Sequence, residues 1–258
     1  MTSLKLNFRG FSTRPPMARD QSSGFMVSHP LCSAFIQLKY TLNVNTQMLS
    51  VDMETKTVEI ENPGQRYIRD FIIYSALGEP VIKPEDWSLA IGGLVDKPLK
   101  FSFNEVMEMP HLKYICDFNC VTAWSIKEVH WEGPSLRELI EKAGPKKEAK
   151  WVMFKCADGY STPVPIEYAT TETAVVAVKV NGQFLRTEQG YPARPFMPEL
   201  YAWKSAKWLT GIDLIEDYED GYWEAYGYHE RGLVSGGERY TNGLWRRVRK
   251  TVTGKVRA

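Results

Sequence analysis

A single cysteine in a polar and aromatic stretch is the residue with the most distinctive chemistry in this 258-residue chain. The stretch is DFNCVTAWSIKEVHWEG, which places Cys120 between polar residues and ahead of two tryptophans. A cysteine thiolate binds soft metals, whereas a buried thiol only packs in a core. The residue types alone leave both interpretations of Cys120 open.

Two further stretches carry polar side chains of use at a binding site. FKCADGYSTPVP predicts a turn at residues 157–159 that delivers Tyr160 just after a buried strand. Tyr160 taken alone is more typical of a wall residue than of a catalyst. EQGYPARPFMPELYAWKSAKW brings Arg194, Lys204 and Lys207 close in sequence and interleaves them with aromatic residues.

These charges fit an anionic ligand that tolerates aromatic neighbours. Arg194 can bind a phosphate or oxyanion bidentately, and Lys204 and Lys207 add point charges. Ser205 and nearby backbone N–H groups add neutral donors. On pattern alone, however, WKSAKWL is better explained as an edge strand whose lysines face water. Only the combination of the three stretches favours a site.

The spacing of other residues gives no alternative metal or nucleotide site. Cys116 and Cys120 could begin a zinc site, but no second Cys/His pair completes four ligands. We expect Cys116 to face a sheet and Cys120 to lie beyond the end of that strand. The chain has no phosphate-binding loop, dinucleotide fingerprint, HExxH motif or GxSxG elbow.

Short strands must position these stretches, because strand patterns dominate from Ile60 onward. Asn181 and Gly182 predict a hairpin with a type I′ turn. The predicted strands lie in WSLAIGGLV, LKYICDF, WVMFKCA, TAVVAVKVNGQFL and WLTGIDLIEDY.

Helix signals are fewer than strand signals. Ser102 with Glu105 predicts a capped helix start. PSLRELIEKAG predicts a second helix, with Pro134 near its first turn and Gly144 at its end. Many strands with few short helices predict an α+β fold that is mostly β.

Composition limits the remaining function classes. Hydrophobic residues make up 43% of the chain and the formal net charge is +1, which gives no indication of nucleic-acid binding. Apolar runs such as FIIYSAL and AVVAV have the length of core strands and are too short to span a membrane. Four cysteines and no evident secretory signal lead us to expect a reducing, cytoplasmic location. We predict an irregular N-terminal extension (1–55), a catalytic domain (56–235) and a basic C-terminal tail (236–258).

Taken together, the three stretches resemble the oxidoreductase molybdopterin-binding domain of the sulfite oxidase family, in particular prokaryotic members without haem or dimerisation domains. The resemblance runs from about Asn62 to Gly232 and implies the fold of that family, with mixed sheets and few short helices. It implies that Cys120 is the protein thiolate bound to the molybdenum of a molybdopterin cofactor. Tyr160 matches a tyrosine that projects towards the metal in sulfite oxidases.

The resemblance also implies a set of cofactor-binding residues. Arg194 matches an arginine that holds the cofactor, and Gln189 stands where relatives carry His or Asn. Cys156 falls where a relative has a cofactor-contacting Thr, and a buried strand cysteine explains it equally well. The remaining implied contacts lie in ENPGQRY and in SAK: Asn62, Gln65, Arg66, Ser205, Ala206 and Lys207.

Two departures from the family pattern bear on the substrate. Relatives commonly have His before the ligand cysteine, where this chain has Asn119. The arginines that follow the ligand cysteine in sulfite oxidases are replaced by VTAWS, which removes a source of positive charge for the anion sulfite. Trp124 and Trp131 would suit a partly apolar pocket, although either could belong to the core.

We therefore expect a molybdenum-cofactor oxidoreductase that performs two-electron oxygen-atom transfer on a small substrate. The alternative within the same class is an S- or N-oxide reductase, for example of methionine sulfoxide. The alternative from another class is a non-catalytic β-rich interaction domain. No haem or iron–sulfur motif occurs in the chain, so we expect a separate electron-transfer partner.

Overall fold

A computed structural model describes residues 55–241, so all but the last residue of the predicted N-terminal extension and most of the predicted basic tail lie outside the described residues. Strands far outnumber the short helices within the described residues, which confirms the predicted mostly β, α+β fold. The strands are β1 (Lys56–Val58), β2 (Arg66–Tyr67), β3 (Ser88–Gly93), β4 (Leu99–Ser102), β5 (His111–Cys120), β6 (Trp124–Pro134), β7 (Trp151–Cys156), β8 (Ser161–Pro165), β9 (Val175–Ala177), β10 (Lys179–Val180), β11 (Gln183–Phe184), β12 (Arg194–Phe196) and β13 (Leu209–Ile215).

The α-helices are short and follow strands. They are α1 (Phe103–Glu108), α2 (Leu136–Ala143) and α3 (Ile166–Ala169). Single 3₁₀ turns occupy Pro84–Asp86, Thr187–Gln189, Ala202–Lys204 and Glu224–Tyr226. No helix within residues 55–241 is long and apolar enough to cross a membrane.

Two mixed sheets carry most of the structure. One has the order β1-β5-β6-β10-β11, with β2 also paired to β6. The other has the order β4-β3-β13-β7-β8, and β9 pairs with β12 as a separate ribbon. The parallel neighbours are β1 with β5, β2 with β6 and β3 with β13.

Local sequence signals fix the start of α1 and both ends of α2. Ser102 and Glu105 form the predicted capping box of α1. Ser135 caps α2 by accepting a hydrogen bond from the Glu138 N–H, and Gly144 ends the helix at φ 69°. Pro134 is the last residue of β6 and directly precedes the N-cap Ser135, which agrees with its predicted place near the first helical turn.

Buried apolar side chains form one core on each sheet. The core of the β4-β3-β13-β7-β8 sheet takes up the apolar face of α2, whose buried residues follow the helical spacing: Leu136, Leu139, Ile140 and Ala143. The core of the other sheet contains Phe118 and a stacked pair, Trp131 and Phe196, with ring centroids 3.9 Å apart. Each fully buried Leu, Ile or Phe side chain among them contributes about 1.5–3 kcal/mol.

The predicted hairpin is present, but its strands are short. Asn181 and Gly182 have φ values of 51° and 77°, as a type I′ turn requires. The run AVVAV contains β9, which is fully buried and pairs with β12. The packed structure continues past residue 235, since Arg239 donates to the Tyr201 hydroxyl at 3.1 Å.

Candidate functional site

A cavity of about 360 Å³ collects most of the residues that the three sequence stretches provide. Its walls come from the end of β5, the turn before β8, the segment after the cis peptide Tyr191-Pro192, and residues 71–76. Of the predicted site residues, those that line it are Cys120, Tyr160, Gln189, Arg194, Ser205, Ala206 and Lys207.

Cys120 is the last residue of β5 and pairs with Trp124 across the turn to β6. The expectation that it lies beyond the strand is therefore wrong. The register between β5 and β6 shifts between the pairs Cys116–Val129 and Phe118–Ile126, where two residues of β6 lie opposite one residue of β5. The Cys120 side chain is half-buried and faces the cavity.

The other cysteines within residues 55–241 are buried thiols. Burial raises the pKa of Cys116 to about 12 and that of Cys156 well above its ordinary value, so both stay protonated near neutral pH. Neither residue lines the cavity. Cys156 packs in the core of the β4-β3-β13-β7-β8 sheet, which matches its alternative interpretation as a strand cysteine.

Tyr160 follows the predicted turn and forms part of the cavity wall. Asp158 accepts a hydrogen bond from the Tyr160 N–H at 3.0 Å, which fixes the turn. The Tyr160 hydroxyl donates to the Trp203 carbonyl oxygen at 2.7 Å. Burial raises the pKa of Tyr160 well above its ordinary value, so its hydroxyl remains a neutral donor.

Arg194 is a buried cation that organises the segment after it. Its guanidinium donates to the Ser205 hydroxyl at 2.9 Å, the Ser205 carbonyl at 2.6 Å and the Gln189 carbonyl at 2.9 Å. These bonds use three of the five N–H donors and leave two for a ligand. Burial lowers the pKa of Arg194 to about 10, which still leaves it charged at neutral pH.

Lys207 lies next to Arg194 in the cavity wall. Its ammonium donates to the Ser75 hydroxyl at 2.7 Å and to the Glu188 carbonyl at 3.1 Å. It also lies 4.4 Å from the centre of a Trp208 ring. Burial, together with the Arg194 charge, lowers the pKa of Lys207 to about 8.

Lys204 does not serve the cavity, so its predicted role as an anion-binding charge is wrong. The residue is fully buried and forms an ion pair with Glu224 at 2.6 Å. Its ammonium also donates to the carbonyls of Pro163 and Glu230, each at 2.6 Å. The alternative of an edge strand with water-facing lysines is wrong as well, because residues 202–204 form a 3₁₀ turn.

The segment ENPGQRY, residues 61–67, contacts the backbone around Cys120 and does not line the cavity. The Gln65 amide donates to the Cys120 carbonyl at 2.9 Å. The Asn62 amide donates to the Asn119 side chain at 3.2 Å, and the exposed Arg66 contributes its backbone N–H to the Ala123 carbonyl. The structure therefore shows these residues bracing the turn after Cys120.

Gln189 faces the cavity, and its side chain also closes the turn that carries it. Its amide oxygen accepts from the Arg186 N–H at 3.0 Å, which leaves the amide NH₂ group as a donor. Gly190 follows with φ 102°, and a Cβ there would lie 2.8 Å from the Lys207 Cα. This close approach brings Gln189 and Lys207 to the same wall.

Several cavity residues are not predictable from the sequence patterns. Residues 71–76 line the cavity, and residues 71–75 form an irregular segment where FIIYSAL has the length of a core strand. Ile72 and Tyr74 are 55% and 66% exposed at its edge. Trp124 lines the cavity, whereas Trp131 belongs to the core. The aromatic run DGYWEAYGYHE is the one signal for Trp223 and Tyr228, which complete the wall.

The residues present fit an anionic organic cofactor that carries its own metal. Neither Arg194 nor Lys207 has a carboxylate within ion-pair distance in the part of the chain that the structure describes, so both charges are available to an anion. Residues 55–241 also contain no cluster of three or more His, Cys, Asp or Glu side chains that could hold a metal. A metal at Cys120 would therefore need most of its ligands from a cofactor.

Residues 76–223 match the family of the oxidoreductase molybdopterin binding domain. The match spans more than half of the chain, which therefore belongs to this family. The chain is a molybdopterin-dependent oxidoreductase, as the sequence resemblance implies.

Two curated relatives and one solved structure illustrate the similarity. The uncharacterized oxidoreductase YuiH of Bacillus subtilis is 40% identical over 60% of this chain and 78% of its own length. A protein-methionine-sulfoxide reductase catalytic subunit MsrP of Campylobacter jejuni is 30% identical over 58% of this chain and 56% of its own length. The sulfane dehydrogenase SoxCD of Paracoccus pantotrophus matches with a TM-score of 0.50 and 25% identity, over 54% of this chain and 41% of that chain.

The lowered pKa of Lys207 predicts pH-dependent anion binding by the cofactor-free protein. An anion favours the charged lysine, and the charged fraction in the free protein falls from about nine-tenths at pH 7 to one-tenth at pH 9 for a pKa of about 8. Affinity for sulfate, whose own charge is constant in this range, should therefore fall about tenfold from pH 7 to pH 9. Isothermal titration calorimetry measures this directly.

Lys207→Met is the matched control for this titration. It should bind sulfate weakly and with little change between the two pH values, because no lysine titrates at the site. A wild-type affinity that is the same at pH 7 and pH 9 would show that Lys207 does not contact the anion.

Proposed function

We propose that Cys120 supplies the thiolate that binds the molybdenum of the cofactor. The observation that carries this proposal is the shared cavity, in which the half-buried Cys120 faces the same space as Arg194 and Lys207. Cys116 and Cys156 are unsuited to the role, because burial raises the pKa of both thiols and neither lines the cavity.

The chain's own residues would hold and orient the cofactor. Arg194 offers two free N–H donors and Lys207 one, so anionic groups of the cofactor would lie against these two side chains. Ser205 accepts from and thereby positions Arg194, and the Ala206 side chain forms apolar wall beside it. When bound, the cofactor supplies the two-electron redox chemistry and the exchange of an oxygen atom with the substrate.

We propose that the substrate is a small S- or N-oxide whose reacting group is uncharged and which carries no net charge. Arg194 and Lys207 are the only Arg or Lys side chains lining the cavity among the described residues, and both are assigned to the cofactor. The turn after Cys120 contributes the neutral side chains of Val121 and Thr122. The methionine-sulfoxide reductase activity in the name of the Campylobacter relative supports the same chemistry.

A substrate comparison tests this proposal. Molybdenum-loaded protein should reduce methionine sulfoxide with reduced viologen as electron donor, and it should oxidise sulfite with ferricyanide at least about tenfold less efficiently, since an anion in an uncompensated apolar site loses hydration. The oxidative arm is included because the structural relative is a dehydrogenase. Sulfite oxidation that exceeds sulfoxide reduction would contradict the proposal.

The physiological electron donor is proposed to be a separate protein, for which the viologen substitutes in this assay. A cytoplasmic location stays a prediction, and fractionation of the native host tests it.

A further inference from the structure

Thr122 lies two residues after Cys120 in the turn that joins β5 to β6. Its hydroxyl oxygen lies 3.2 Å from the Cys120 Sγ atom. Both residues line the cavity, and Thr122 is exposed there. No other hydrogen-bond partner of this hydroxyl occurs within residues 55–241.

The backbone of this turn is held by bonds that do not involve the hydroxyl. Ala123 adopts φ 67° and donates its N–H to the Cys120 carbonyl at 3.2 Å. Gln65 donates to the same carbonyl at 2.9 Å, and the Ala123 carbonyl accepts from the Arg66 N–H at 3.1 Å. The position of Thr122 next to the sulfur is therefore fixed by these bonds and does not depend on its own hydroxyl.

A thiolate can only accept a hydrogen bond, so the direction of the contact follows from the ionisation of the sulfur. When Cys120 is a thiolate, the Thr122 hydroxyl must be the donor. A hydrogen bond to a ligand sulfur withdraws electron density from it and is one of the levers by which proteins set the potential of a bound metal.

We propose that Thr122 tunes the Cys120 thiolate by donating this hydrogen bond. The inference rests on the proposed function, because it takes Cys120 as the metal ligand. The VTAWS segment replaces the arginines of sulfite oxidases, and under this proposal it also supplies a neutral hydrogen-bond donor to the ligand sulfur. Thr122 acts through Cys120 and is a positioning residue in that sense.

Thr122→Val tests the proposal in the molybdenum-loaded enzyme, since valine keeps the shape of threonine and removes the hydroxyl. The absorption band for charge transfer from sulfur to metal should move to lower energy, because the sulfur lone pairs lose a stabilising donor. The midpoint potential of the metal should fall for the same reason. Both readouts are independent of substrate turnover.

Thr122→Ser is the matched control, because it retains the hydroxyl, and it should keep the wild-type band and potential. Thr122→Val with an unshifted band and potential, or Thr122→Ser that shifts as far as Thr122→Val, would overturn the inference. A Thr122→Val protein that loses metal while Thr122→Ser retains it supports the inference, because Thr122→Ser keeps the hydroxyl and Thr122→Val removes it.

The same spectra separate this inference from the proposed function. If the wild-type band persists in Cys120→Ser, Cys120 is not the ligand, and both the assignment and the inference fail. If the band disappears in Cys120→Ser but is unchanged in Thr122→Val, the ligand assignment stands and only the role of Thr122 fails.

Discussion

Replacing Cys120 with serine should lower oxygen-atom-transfer activity by more than about a hundredfold while leaving the fold intact. Changes in groups that merely support metal ligands already cost ten- to hundredfold, so loss of the protein's own ligand should cost more. The pairing of Cys120 with Trp124 uses only backbone groups, and the side chain is half-buried. Steady-state kinetics with reduced viologen and methionine sulfoxide measures the loss.

The control for this variant is Cys116→Ala, which removes another thiol of the same strand. Cys116 is buried and does not line the cavity, so this variant should retain the charge-transfer band and most of the activity despite some loss of stability. Cys120→Ser with full metal content and full activity would show that the ligand assignment is wrong.

Replacing Glu224 with glutamine should be the most destabilising of the substitutions considered, at about 3–5 kcal/mol. Both Glu224 and Lys204 are fully buried, and the variant leaves the lysine charge without its partner. One carboxylate oxygen of Glu224 also accepts from the Trp203 indole and the Thr162 hydroxyl, each at 2.9 Å. Thermal unfolding should show a drop in Tm of about 10 °C.

A double variant separates the charge from the packing. Lys204→Met combined with Glu224→Gln removes both charges and keeps an acceptor for Trp203, so it should be more stable than Glu224→Gln alone. The exposed pair Lys150 and Glu216 provides the comparison, and Glu216→Gln should change stability by less than about 0.5 kcal/mol. An equally small effect for Glu224→Gln would contradict a buried, charged pair.

This ion pair also explains how the cavity wall is built. Glu224 holds Lys204 and Trp203, and the Trp203 carbonyl accepts from Tyr160. The segment from Ser205 to Lys207 follows directly in the chain. Glu224 thus fixes the two residues that directly precede the predicted cofactor-binding segment, without lining the cavity itself.

Much of the fold could be predicted because its signals are local. Strand and helix positions follow apolar periodicity, and Ser102, Gly144 and the Asn181-Gly182 turn act through the backbone of their immediate neighbours. The sequence also singles out Cys120, Tyr160 and the Arg194 segment, since these stretches resemble the molybdopterin-binding family, and residues 76–223 match that family.

Residues 71–76 could not be placed in the same way. FIIYSAL has the composition of a buried strand, yet it forms an irregular wall with exposed Ile72 and Tyr74. Composition reports how apolar a segment is, whereas its exposure depends on what packs against it. The bond from Lys207 to Ser75 joins residues 132 positions apart and leaves no local pattern.

The sequence alone determined the class of protein, through a family resemblance that the match over residues 76–223 confirms, and it led us to propose Cys120 as the metal-binding thiol. Only the tertiary structure decided between Lys204 and Lys207, which are three residues apart. They lie in a 3₁₀ turn and the irregular segment after it, where no periodicity sets side-chain direction. Lys204 forms a buried ion pair with Glu224, which lies 20 positions further along the chain. Lys207 is therefore the lysine that faces the cavity beside Arg194.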